Sequence, residues 1–249
     1  MTFLISTSEF YLSPDPLTTR DPSTQPALNL ISHNILTKLK NIGPARIRDL
    51  RRPHDTNLQI LSHIPVDVSP STCRRLNDTL ASQIHFHPDR FAALALLSTW
   101  DPKEAAAELV RCVARKKCVG GMLVFGAEGM QGMQGNGKVW DREMDAVWSV
   151  AERFNVPVAL RVMFPTRGQV NTQYESFFPP NSPVLHSLVT NLHSAHTASP
   201  FQVLALYTAG IFDRFPKLKI LLSSNGHSIP TLLPKISALL QANPSIPPG

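Results

Sequence analysis

Short apolar runs bounded by turn residues recur along this chain and alternate with segments of helical spacing. Phe3 to Ser8 reads as a first strand, and Ser13 to Ala27, rich in Pro, Ser and Thr, as a long loop. Leu28 to Leu50 carries Leu and Ile at helical spacing, interrupted near Gly43-Pro44. Asn57 to Ile64 is the second strand, Ser71 to His85 a helix, and Phe91 to Thr99 a nearly continuous apolar third strand. Asp101-Pro102 opens the next helix, a carboxylate cap followed by proline in the first turn, and the helix runs to about Lys117. Gly120 to Phe125 is the fourth strand, Asp141 to Phe154 a helix and Val156 to Val162 the fifth strand. Phe164 to Pro183 reads as loop and Val184 to Phe212 as one or two helices. The sixth strand is Leu218 to Ser223, followed by a helix from Ile229 to Gln241.

Strands buried on both faces and joined by helices imply a parallel sheet with right-handed crossovers. Six such units fit a doubly wound sheet or a (β/α) barrel, and periodicity does not separate the two. In either fold, polar residues just past the carboxyl ends of strands are where chemistry is placed. The cluster Ser224, Asn225, His227 and Ser228 after the sixth strand is one such place.

Composition narrows the class. The 249 residues are 43% hydrophobic and 17% charged, which suits one domain spanning 1–249 with a full core. No apolar run reaches a membrane span and no signal peptide is read, so a cytoplasmic protein without a membrane partner is expected. Cys73, Cys112 and Cys118 have no metal-type spacing and read as reduced thiols. The net charge of +6 is scattered and not interleaved with aromatics, which argues against a nucleic-acid partner and remains compatible with anionic small molecules. Gly126 to Lys138 holds Met130 and Met133 among glycines and reads as a mobile loop, a candidate lid. It lacks the Gly-Lys-Ser/Thr of a phosphate loop; neither a Gly-x-Ser-x-Gly elbow nor a dinucleotide fingerprint occurs elsewhere.

Phe212-Asp213-Arg214-Phe215-Pro216-Lys217-Leu218-Lys219 resembles the segment before the sixth barrel strand of the amidohydrolase-related decarboxylases, the dihydroxybenzoate, resorcylate and aminocarboxymuconate-semialdehyde decarboxylases. Gln59 to Ser62, Asn77-Asp78, His87-Pro88-Asp89-Arg90-Phe91, Asp101-Pro102 with Ala105 to Arg111, Val119-Gly120-Gly121, and Trp148 with Val156-Pro157-Val158 are similar to that family in the same order, over most of Asp55 to Pro230. The resemblance implies an incomplete TIM-like (β/α) barrel of about six units, without the last two strands. It implies nonoxidative decarboxylation of small, often aromatic, acids at one zinc or manganese ion.

The family's metal positions are substituted. Its first-strand motif falls on Ser8-Glu9-Phe10, its fifth-strand histidine on Arg161 and its sixth-strand histidine on Ser224; its aspartate after the eighth strand has no counterpart. Phe10 cannot ligate, Ser8 is a poor ligand and Arg161 is a fixed cation. The expectation is therefore no metal and no other cofactor, with zinc or manganese only if the site survives in another form. His227, three positions past Ser224, is a candidate general acid or base, or a residue bonded to backbone at a helix start. Arg161 either pairs with Glu9 or clamps a substrate carboxylate or phenolate. Glu9 is a candidate base. Phe10, His63, Ser224 and Asn225 are candidate substrate contacts, the last two also candidate caps. The remaining histidines, among them His85, His87, His186, His193 and His196, read as surface or packing residues.

Two functions follow. One is a decarboxylase-like lyase on a small aromatic or polyketide-like acid, in metal-free form as lyase, dehydratase, isomerase or cyclase. The other is a non-catalytic partner of an intact paralogue, or a homo-oligomer formed through exposed sheet edges.

Overall fold

The structure is a computed structural model that describes residues 3–15, 17, 25–50, 56–125, 138–170, 189, 200–223, 226 and 228–242. Six strands form one parallel sheet whose spatial order is the chain order: β1 (Ile5–Tyr11), β2 (Leu58–His63), β3 (Phe91–Leu97), β4 (Gly120–Phe125), β5 (Pro157–Val162) and β6 (Lys219–Leu222). Each connection steps to the next strand, and the sheet curls into a half-barrel, an incomplete TIM-like barrel.

Helices cover the convex face. The interrupted segment after the first loop forms α1 (His33–Leu39) and α2 (Pro44–Leu50), broken at Gly43-Pro44 as expected. α3 (Pro70–Ile84) starts where the Ser69 hydroxyl accepts the Thr72 N–H at 3.3 Å. α4 (Pro102–Lys116) starts where the Asp101 carboxylate accepts the N–H groups of Lys103 and Glu104, at 2.8 and 3.1 Å. α5 (Asp145–Arg153) follows a single turn of 3-10 helix at Arg142–Met144. α6 (Phe201–Thr208) and α7 (Ile211–Arg214) are the described part of the region before β6, and Arg214 anchors them by a two-pronged pair to Asp145 at 2.8 and 3.0 Å. α8 (Ile229–Ala242) follows β6. Residues 184–188 and 190–199, and the candidate lid up to Gly137, lie outside the described residues.

Alternation along the strands sorts the core into two layers. Leu61, Ala93, Ala95, Leu97, Leu123, Phe125, Val158 and Leu160 face the helices and pack on Leu80, Leu109, Val147 and Trp148. Leu94, Leu96, Met122, Val124 and Ala159 face the concave side, where Phe10, Ile60 and Leu221 pack against them. β1 runs three residues past its expected end, to Tyr11. Its pairing with β2 shifts register between Ser6 and Glu9, and this irregularity decides where the first-strand candidates point.

Candidate functional site

Arg161 is the fifth residue of β5, in register with Val124 on the concave layer. It is 4% exposed. One of its N–H groups, on Nη2, donates to the Ser8 hydroxyl of β1 at 3.2 Å. Nε and Nη1 are buried without a hydrogen-bond partner. A guanidinium carries five N–H donors and keeps its proton under nearly all conditions, so this is a cation enclosed by protein with most of its donors unspent. Burial lowers its pKa, and among the described residues no carboxylate counters that effect. Leaving a buried charge unpaired costs several kcal/mol, which an anion bound on the concave face would recover.

The expected Arg161–Glu9 pair does not form. Glu9 sits opposite Leu61 in the ladder, and Leu61 belongs to the convex layer. Its carboxylate accepts the Ser6 hydroxyl at 2.6 Å and pairs with Arg46 of α2 at 3.6 Å. Arg46 in turn donates to the Phe10 carbonyl at 3.0 Å and to Gln59 at 2.8 Å, tying α2 to the outside of β1 and β2. Glu9, a candidate base, is therefore held on the convex side by Ser6 and Arg46 and not beside Arg161. Its neighbours Ser8 and Phe10 take the concave side instead: Ser8 meets Arg161, and Phe10 packs on the concave layer.

His63, a candidate substrate contact, has its ring enclosed and bonded within the protein. It is 2% exposed, and both ring nitrogens are spent. Nε2 accepts the Ser13 N–H at 3.2 Å, so the ring's proton is on Nδ1, which donates to the Ile64 carbonyl at 2.9 Å. Tyr11 stands edge-on to the ring with centroids 5.2 Å apart. Burial drives the pKa down to about 4, keeping the imidazole neutral. The histidine fastens the loop after β1 to the end of β2.

Ser224, Asn225 and His227 lie outside the described residues, as do His186, His193 and His196. What sequence reasoning missed is Ser8 as the partner of Arg161; period-two alternation, which places residues 8 and 10 on one face and 9 on the other, is the signal that could have found it.

A family model described as amidohydrolase matches residues 52–238. The chain belongs to the amidohydrolase family. Among characterised relatives, this amidohydrolase is 33% identical over 205 residues to the decarboxylase orsB of Emericella nidulans, covering 80% of this chain and 58% of the relative. It is 32% identical over 166 residues to the gamma-resorcylate decarboxylase of Rhodococcus jostii, covering 66% of this chain and 47% of that one. The chain thus spans about half the length of the curated relatives it matches. The dihydroxybenzoic acid decarboxylase of Polaromonas sp. JS666, solved with manganese and the inhibitor 2-nitroresorcinol, superposes with a TM-score of 0.72 at 24% identity, over all of this chain and 74% of that one. The 2,6-dihydroxybenzoate decarboxylase from Rhizobium gives 0.66 at 25% identity, over 95% of this chain and 70% of that one.

Metal binding in such a barrel needs several anionic or imidazole donors at one point. Among the described residues no group of three or more His, Cys, Asp or Glu side chains could hold an ion. The described strand end that faces the concave side presents a guanidinium and a hydroxyl, a donor set for an anion. The described residues do not fit a divalent cation.

Proposed function

We propose that this amidohydrolase is a decarboxylase-like lyase for a small aromatic or polyketide-like acid, working without the family's metal and with Arg161 as its anion anchor. The observation that carries this reading is the buried guanidinium with Nε and Nη1 unpaired, at the carboxyl end of β5 on the concave layer. The decarboxylase relatives supply the substrate class.

A phenolate or enolate oxygen is the better partner for Arg161 than the departing carboxylate. Ring protonation draws charge from that oxygen and the breaking carbon–carbon bond returns it, so the guanidinium stabilises the charge that develops as carbon dioxide leaves; a clamp on the carboxylate would hold the ground state instead. Phe10 would pack on the ring, and Ser8 would hold the guanidinium in place. His227, with Ser224 and Asn225 beside it in the chain, is proposed as the proton source. A proton goes to the ring carbon that bears the carboxylate, the carbon–carbon bond breaks, its electron pair restores the ring, and carbon dioxide departs.

The test incubates chelator-treated protein with resorcylate-type acids and follows loss of the acid and appearance of the decarboxylated phenol. Turnover that survives chelation and is lost in Arg161→Ala and His227→Ala supports the reading. Turnover abolished by chelation and restored by manganese or zinc contradicts its metal-free part.

A second reading, a non-catalytic partner for another chain, is favoured by exposed apolar groups at the start of β1 and on α8. Phe3, Leu4 and Ile5 are 66, 44 and 47% exposed at β1, and Leu233 and Leu239 of α8, which follows β6, are 53 and 55% exposed. Tight, saturable association with a decarboxylase relative, with no turnover of any acid, would favour it.

A further inference from the structure

The interface of α3 and α4 holds a polar cluster that the proposed reaction does not use. Glu108, 5% exposed, takes the Arg111 guanidinium on both oxygens at 2.7 Å and the Asn77 carboxamide at 2.8 Å, and Arg111 continues to Asp78 at 2.7 Å. The Cys112 thiol donates into this cluster, to Glu108 Oε1 at 3.2 Å. α4 then ends at Lys117, whose left-handed backbone (φ 58°) turns the chain back. The turn lets the Cys118 N–H donate to the Cys112 carbonyl at 3.1 Å. Ordinary backbone dimensions then hold the two Cα atoms within roughly 7 Å, about the span a disulfide needs.

The thiols interact. When the one Cys112 S–H proton turns from Glu108 towards Cys118, the hydrogen bond favours the Cys118 thiolate and, with help from Arg111 and Lys116, outweighs burial, so Cys118 sits below the usual thiol range. The same bond and burial hold Cys112 above it. Cys118 is 6% exposed and Cys112 fully buried. Cys73 lies elsewhere, directed at the Val68 carbonyl at 3.9 Å in the other core layer.

We propose that Cys112 and Cys118 form a redox-active dithiol, a modification site for small hydroperoxides. The Cys118 thiolate attacks the peroxide; the O–O bond breaks, the leaving oxygen takes a proton and departs as water or an alcohol, and Cys118 becomes a sulfenic acid. The Cys112 sulfur attacks that sulfur, its thiol proton joins the departing hydroxide, and water leaves. Two thiols and one hydroperoxide give one disulfide, one water and one alcohol, or a second water when the oxidant is hydrogen peroxide. The bond ties the end of α4 to the start of β4.

The test treats the full chain with hydrogen peroxide, unfolds it, alkylates remaining thiols and reads the intact mass before and after tryptic digestion. The expected result is loss of two hydrogens, one alkylated thiol of the three cysteines, reversal by a phosphine, and a cross-link joining residues 112–115 to residues 118–138. Cys112→Ser should leave a sulfenic acid at position 118 that dimedone captures, and Cys118→Ser should give no cross-link. Three alkylated thiols after peroxide, a cross-link through Cys73, or Cys118 driven to sulfinic acid with no disulfide in the unsubstituted chain would each overturn the proposal. The unsubstituted chain decides it even if a serine variant fails to fold.

Discussion

Arg161 on β5 and Ser8 on β1 meet across the concave side of the half-barrel, 153 positions apart in the chain, through a 3.2 Å bond from Nη2 to Oγ. Nothing else among the described residues bonds to the guanidinium. The sheet therefore carries a fixed, buried cation near one strand end, oriented by a neutral hydroxyl on the concave layer. This is the reverse of a metal cradle, which would gather anionic and imidazole donors at the same point.

His63 should make stability fall in mild acid. Its pKa is about 4 in the folded chain, against an ordinary 6.5. Between those values the unfolded chain binds a proton that the folded chain refuses, so the contribution is fully present above pH 6.5 and is lost as pH falls towards 4. The shift corresponds to about 3 kcal/mol. Urea midpoints measured from pH 7 down to pH 4.5 check this: the decline should be clear in the unsubstituted chain and flattened in His63→Gln.

Asn77 is expected to be a stability hinge. Its side chain accepts the Leu96 N–H at 2.8 Å and donates to the Leu96 carbonyl at 2.9 Å, while also holding Glu108. Asn77→Ala strands buried groups of β3 and a buried carboxylate, each such loss costing about 1–3 kcal/mol. Denaturant unfolding should show a total loss of about 2–5 kcal/mol. An effect below 1 kcal/mol would mean that water replaces the carboxamide.

Gly120 should not tolerate a side chain. A Cβ there would run into the Pro157 carbonyl of β5 and press on Leu94. Gly120→Ala is expected to cost about 1–3 kcal/mol through overpacking, read as a lowered Tm. Gly43, where a Cβ would meet only Asn41 Oδ1 at 3.5 Å, serves as the tolerant control.

Much of the fold was legible because the buried strands are short apolar runs with turn residues on either side: 120–125 and 91–97 stand out even without helical neighbours. Asp101-Pro102 announced its helix by capping chemistry that acts locally. The curl of the sheet was not legible from periodicity, since a doubly wound sheet has the same pattern; it came from the family resemblance. The site was half legible. Arg161 ends its strand where expected and lies buried there, but its partner was misassigned. Glu9 attracts attention as the only acid on β1, yet the side a strand residue faces depends on register, and the shift between Ser6 and Glu9 is set by pairing with β2. His63 reads as a candidate substrate contact for a similar reason. A histidine past a strand end has the right address, and only the coordinates show Ser13 and Ile64 consuming both nitrogens.

The account rests on Arg161 as an anion anchor, and calorimetric titration of chelator-treated protein with 2,6-dihydroxybenzoate tests it most directly. Charged hydrogen bonds contribute about 1.5–3 kcal/mol, so Arg161→Met should weaken binding by about tenfold or more while the Tm stays level or rises. Equal affinity in the unsubstituted chain and the methionine variant would contradict the account.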